Sequence, residues 1–144
     1  MRIQPSEWIW KDIGSGADED VSFWKVPNLP GRYYRLGDTA CGQSNSLSTP
    51  CESVLIVEDN GDDLVQVPTG SKRIWTDAGS GANYDVSIWK LMPPNGFKCL
   101  GMAAVRRHGP SPDLRDYRCV KQGSKTQFIS NIAQNTRSYS NLIV

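Results

Sequence analysis

Residues 10–25 read Trp-Lys-Asp-Ile-Gly-Ser-Gly-Ala-Asp-Glu-Asp-Val-Ser-Phe-Trp-Lys, and residues 75–90 read Trp-Thr-Asp-Ala-Gly-Ser-Gly-Ala-Asn-Tyr-Asp-Val-Ser-Ile-Trp-Lys. The two stretches lie 65 residues apart and share eleven of sixteen positions. Such a repeat identifies the unit from which a fold is assembled. In each copy the pattern is strand, glycine turn, strand. Val21 and Phe23 alternate with Ser22 and Trp24, and Val86 and Ile88 with Ser87 and Trp89. A period of two predicts a half-buried strand. Gly14-Ser15-Gly16 and Gly79-Ser80-Gly81 supply the backbone freedom of a tight loop. Asp12, Asp20, Asp77 and Asp85 stand where a carboxylate can hold backbone N–H groups.

The likeness extends beyond these stretches. Leu36-Gly37 returns as Leu100-Gly101, now 64 residues on, and a proline-glycine turn precedes both. The tandem repeats therefore run over about 8–41 and 73–105. Between them, Asn60-Gly61 flanked by apolar runs predicts a type I′ hairpin within 54–67. Apolar stretches at 117–120, 128–133 and 139–144 predict further strands, and the polar runs 42–50 and 106–112 predict loops. The chain of 144 residues carries 13 glycines and 9 prolines, too many for a helical bundle, and shows no long helical periodicity. The reading is a single all-β domain over 1–144. It is a β-prism, with three antiparallel sheets in a pseudo-threefold arrangement. The two repeats give two sheets, and the central hairpin with the C-terminal strands gives the third. A β-sandwich is the alternative.

Net charge is +1, which argues against a nucleic-acid partner. There is no run of 18 apolar residues and no apolar N-terminal leader. The expectation is a cytoplasmic or membrane-peripheral protein, with non-classical secretion or a missing leader as alternatives. Cys41, Cys51, Cys99 and Cys119 form no Cys-x-x-Cys pair, so a tetrahedral zinc site is not expected. They are four small apolar residues or contribute at least one disulfide. In an oxidising compartment Cys41 and Cys51 would pair across the polar loop.

The tandem Trp-x-Asp-x-Gly-Ser-Gly-Ala-x-x-Asp-Val-Ser-[Phe/Ile]-Trp motif, the Tyr33 to Asp38 segment and the Pro112 to Val120 segment resemble the vacuolar protein sorting-associated protein 62 family. The resemblance covers roughly 8–121. More distantly, the chain is similar to β-prism domains associated with multivesicular bodies. It is also similar to prisms at the C-terminal end of some membrane-attack-type pore-forming proteins. That likeness implies a domain that contacts membrane lipid. Met102 stands where the first copy has Asp38, and Cys41, Cys51 and Cys99 are not part of the family pattern. Cys119 fills a motif position, which implies a packing role rather than a pairing with Cys99.

Catalysis is not expected. The single histidine, His108, sits in a proline-glycine loop, and no serine lies in a nucleophile elbow. The pairs Asp12/Asp20 and Asp77/Asp85 occur in both copies, which fits loop architecture better than a duplicated active site. Those carboxylates and loop carbonyls could take Ca²⁺, though no EF-hand spacing is present; otherwise no cofactor or metal is expected. The duplicated Trp10, Trp24, Trp75 and Trp89 are expected in the core, and unmatched Trp8 at the surface.

The expected function is a non-enzymatic binding module. Its first partner class is a membrane lipid surface, met through Arg106, Arg107, Lys121 and Lys125. The alternative is a lectin whose loop-end sites use Asp12, Gly14, Ser15, Gly16, Asp20, Asp77, Gly79, Ser80, Gly81 and Asp85. A further alternative is an accessory domain of a pore-forming system, with a protein partner or a second copy of the chain in place of a small ligand.

Overall fold

A computed structural model describes residues 1–18, 20–42, 50 and 53–123. Among these residues twelve strands follow one another: β1 (Arg2–Ile3), β2 (Glu7–Lys11), β3 (Val21–Lys25), β4 (Tyr33–Arg35), β5 (Thr39–Gly42), β6 (Val54–Glu58), β7 (Val65–Gln66), β8 (Gly70–Thr76), β9 (Val86–Met92), β10 (Phe97–Lys98), β11 (Met102–Arg106) and β12 (Cys119–Lys121). A single 3₁₀ turn, Leu114–Asp116, is the one helical element among the described residues. The protein is all-β, as its repeat predicted.

The strands form four antiparallel sheets of three, in the orders β2-β3-β5, β8-β9-β11, β1-β6-β4 and β7-β12-β10. The second half repeats the first strand for strand, so the duplicated unit is wider than the motif. Even the irregularities recur. The β2–β3 ladder shifts register between Trp8 and Trp10, and the β8–β9 ladder shifts between Arg73 and Trp75, the same positions 65 residues on. A bulge repeated at equivalent sites is a feature of the unit, not an accident of one copy.

Four small antiparallel sheets are present among the described residues. One expectation is corrected here. The Asn60-Gly61 segment does not make a hairpin: β6 pairs with β1 and β4, whereas β7 pairs with β12. Local hydrogen bonds explain the difference. Asp59 Oδ1 accepts from Gly61 N at 3.1 Å, and Asp62 Oδ1 accepts from Leu64 N at 3.2 Å. Asp63 turns left-handed at φ 61°. These aspartate turns carry the chain out of the first copy and into the second instead of folding it back. Of the expected C-terminal strands, only the first is described, as β12; residues 124–144 lie outside the described part.

Ser22 and Ser87 are fully buried, so β3 and β9 are covered on both faces, not half-buried as their alternation predicted. Each serine has a task. Ser22 Oγ accepts the indole N–H of Trp24 at 2.7 Å, and Ser87 Oγ accepts that of Trp89 at 2.8 Å. The Ser-x-Trp spacing places donor and acceptor on one side of a strand, and an interior indole needs that partner.

The main core joins the copies: Ile9, Trp10 and Phe23 pack with Val86, Ile88 and Ala104. Leu36, Val57, Val65 and Val120 form a second cluster, and Leu91, Ala103 and Tyr117 a third. At one matched pair the halves use different chemistry. In the β4–β6 ladder Arg35 stands opposite Ile56. At the equivalent place Cys99 and Cys119 form a disulfide, which corrects the expected packing role of Cys119. Cys41 is also disulfide-bonded; Cys51, and with it the expected pairing of these two, lies outside the described residues.

Candidate functional site

The glycine loops are built alike. Asp12 Oδ2 accepts from Val21 N at 2.9 Å, and Asp77 Oδ1 from Val86 N at 2.8 Å. Ser15 Oγ accepts from Ala17 N and Ser80 Oγ from Ala82 N, at 3.2 and 3.1 Å. Gly14 and Gly79 sit at φ 90° and 84°, and Gly16 and Gly81 at 73° and 79°, backbone that side-chain-bearing residues rarely adopt. The loops also touch, since Asn83 N donates to the carbonyl of Ile13 at 2.8 Å. Asp12, Ser15, Asp77 and Ser80 therefore brace their own loops. Asp12 and Asp77 are buried, whereas Asp85 is exposed and Asp20 partly so.

One cluster could hold a cation. His108 Nε2 lies 2.7 Å from Asp77 Oδ1 and 3.8 Å from Asp85 Oδ1. Burial acts to raise the Asp77 carboxyl, but the Val86 N–H and His108 outweigh it and hold it below the usual carboxylate range. An imidazole among three donors departs from the all-oxygen shell that Ca²⁺ takes. In the first copy, buried Asp12 Oδ1 has no hydrogen-bond partner among the described residues.

Of the four basic residues expected to meet lipid, three are described. The Arg106 guanidinium bonds the carbonyls of Trp8 and Ile9 and stacks on the Trp8 ring at 4.6 Å. It thereby joins β11 of the second copy to β2 of the first. Lys121 pairs with Asp63 at 2.8 Å. Arg107 is exposed, and its backbone is bound to Asp85. Lys125 lies outside the described residues.

The tryptophans are redistributed as well. Trp8, expected at the surface, is half-buried under Arg106 and edge-on to Tyr84 at 5.1 Å. Trp10 is 3% exposed, and its indole donates to the carbonyl of Tyr84. Its equivalent, Trp75, is 48% exposed, and Ile74 is 47% exposed where Ile9 is 3%. The first copy's β2 is covered by the second copy, while β8 is an open sheet edge among the described residues. Around Ile74 and Trp75, Lys72 stands directly opposite Lys90 in the ladder, both are exposed, and Arg73 and Met92 adjoin them. Like charges facing each other across a ladder oppose folding. Neither lysine has an ion-pair partner among the described residues. This apolar and basic edge was missed in the sequence because Trp75 reads there as a duplicate of Trp10.

The model of the vacuolar protein sorting-associated protein 62 family matches residues 1–140. The chain belongs to that family. Among solved structures, this Vps62-family chain is similar to GNIP1Aa from Chromobacterium piscinae, with 31% identity and a TM-score of 0.65. The alignment covers 85% of this chain and 24% of that one, so the family unit spans about a quarter of the relative's length. No curated protein matches the chain. No helix among the described residues is long and apolar enough to cross a membrane.

Proposed function

We propose that this Vps62-family chain is a non-enzymatic binding module that docks on membrane lipid through its β8 edge. One observation carries the reading. Ile74 and Trp75 are about half exposed at the positions where the first copy buries Ile9 and Trp10. Tryptophan beside lysine and arginine suits the boundary between headgroups and acyl chains. Lys72, Arg73 and Lys90 would each contribute about 1 kcal/mol against an anionic surface. Completing the burial of Ile74 and Trp75 would add roughly 1–3 kcal/mol. That total describes reversible surface binding, not insertion. The charge pair that opposes folding at Lys72 and Lys90 is then explained by its task.

A pseudo-threefold prism belongs to the same proposal. The contact between copies is one-sided: β2 of the first copy meets β11 of the second, while β8 stays open among the described residues. Head-to-tail contacts of this kind fit a rotation other than a twofold.

The test is co-sedimentation with phosphatidylcholine vesicles, with and without phosphatidylserine. Binding should require the anionic lipid and fall steeply with salt. Ile74→Ser with Trp75→Ser should abolish it while the melting temperature holds. Vesicle binding that survives this double variant removes the β8 edge as the docking surface.

A further inference from the structure

One place where the two copies diverge is a cavity. It measures about 300 Å³ and lies between the β2–β3 ladder, the Pro27–Gly31 turn, β4 and the 3₁₀ turn. The second copy does not repeat its walls among the described residues. Tyr33, Tyr34 and Arg35 correspond to Phe97, Lys98 and Cys99, and Arg32 has no counterpart in the shorter second turn. Duplicated scaffolds keep what folding needs in both copies. A polar cavity whose lining residues are not repeated in the other copy points to a task outside folding.

Its walls are specific. Arg35 is 6% exposed, and its guanidinium holds Asp38 Oδ1 and Asp116 Oδ2, each at 2.9 Å, while stacking on the Tyr117 ring. Asp116 is thereby fixed at the rim with its side chain 57% exposed. Across the cavity Lys25 pairs with Glu7 at 3.1 Å, both about one-third exposed. Two cations thus face two carboxylates, and the lining has no net charge. Leu29 and Tyr33 add apolar surface, and exposed Asn28 adds an amide on a left-handed backbone at φ 50°.

We infer that this cavity binds a neutral saccharide. Carboxylates anchored by buried or paired cations accept hydrogen bonds from sugar hydroxyls, the lysine and the amide donate to them, and a tyrosine with a leucine covers C–H faces. The rim carboxylates of Asp116 and Glu7 turn away phosphate and other anions. The site is separate from the β8 edge and does not depend on the lipid reading.

The experiment is calorimetric titration of the full chain with free glucose, galactose, mannose and N-acetylglucosamine and their disaccharides, with inositol hexakisphosphate as an anionic control. At least one neutral sugar should bind. Tyr33→Ala and Asn28→Gly should each weaken it about tenfold, a change of ~1.4 kcal/mol. Asn28→Gly keeps the left-handed backbone, so its effect reports the amide. The Ile74→Ser/Trp75→Ser variant should bind the sugar as the parent does, which separates this site from vesicle docking. The inference is overturned if no sugar binds, if the inositol phosphate binds in preference, or if both cavity variants leave sugar affinity unchanged.

Discussion

Gly37 and Gly101, equivalent residues of the two copies, lie against each other: a Cβ built on Gly37 would stand 2.9 Å from the Gly101 Cα, and one on Gly101 would stand 2.8 Å from the Leu36 carbonyl oxygen. The obstructing atoms are backbone and cannot rotate aside. Asp38 N donates to the Met102 carbonyl at 2.9 Å beside them, which fixes the approach. Gly37→Ala and Gly101→Ala should each destabilise by about 1–3 kcal/mol. Thermal melts of the two variants check this; an unchanged melting temperature would mean that the halves separate without cost.

The Ser-x-Trp pairs permit a matched comparison. Ser22→Ala would strand the Trp24 indole N–H in the interior, at a cost of about 1–3 kcal/mol. Trp24 is 4% exposed, whereas Trp89 is only partly buried, so water can replace the hydroxyl at Trp89 more readily. Ser87 also donates to the Arg107 carbonyl at 2.9 Å, a bond that Ser87→Ala removes as well. Restoring the indole's acceptor with Ser22→Thr should recover more stability than Ser22→Val. Equal losses for threonine and valine in urea denaturation would show that the bond is not the cause.

The repeat made the strands, the glycine loops and the all-β class legible in the sequence, because each is written in local residue types at fixed spacing. What it hid is relational. Trp10 and Trp75 are one residue in the motif, yet Trp10 is buried against the other copy and Trp75 is half exposed. Sequence identity records the strand and not its neighbour. Arg106 read as a surface charge because its partners, the carbonyls of Trp8 and Ile9, are backbone atoms nearly a hundred residues away. The Asn60-Gly61 turn misled for the opposite reason. Its local signal is strong, but Asp59, Asp62 and Asp63 satisfy the backbone around it, and β12 offers β7 a partner. Of the candidate sites, the cavity left a trace: the one-residue difference at Arg32 and the change of Arg35 to Cys99 mark where the copies part.

The Cys99–Cys119 bridge closes a loop with a sequence separation of 20 and ties the end of β10 to β12. Peptide mapping without reductant should recover this pair. Constraint of the unfolded chain by a loop of that length is worth about 3 kcal/mol. Cys99→Ala with Cys119→Ala should lower stability by that order while leaving the first copy's Arg35 network intact. A double variant as stable as the parent would show that the bridge contributes no net stability.

Acid should weaken the second copy's glycine loop through Asp77. Its carboxyl lies below the ordinary range because the Val86 N–H and His108 outweigh the effect of burial. A depressed folded value means that this carboxylate's contribution is fully present above the unfolded value, about 3.9. It is lost as pH falls through the lower folded value. Asp59, lowered chiefly by its bond to Arg118, acts in the same direction. Melting temperature should therefore drop below about pH 4. Asp77→Asn keeps an acceptor for Val86 N but removes the charge facing His108. This variant should be less stable at pH 6, and its melting temperature should fall less than the parent's between pH 5 and pH 3. A parallel decline of parent and variant across that window would assign the acid sensitivity to other carboxylates.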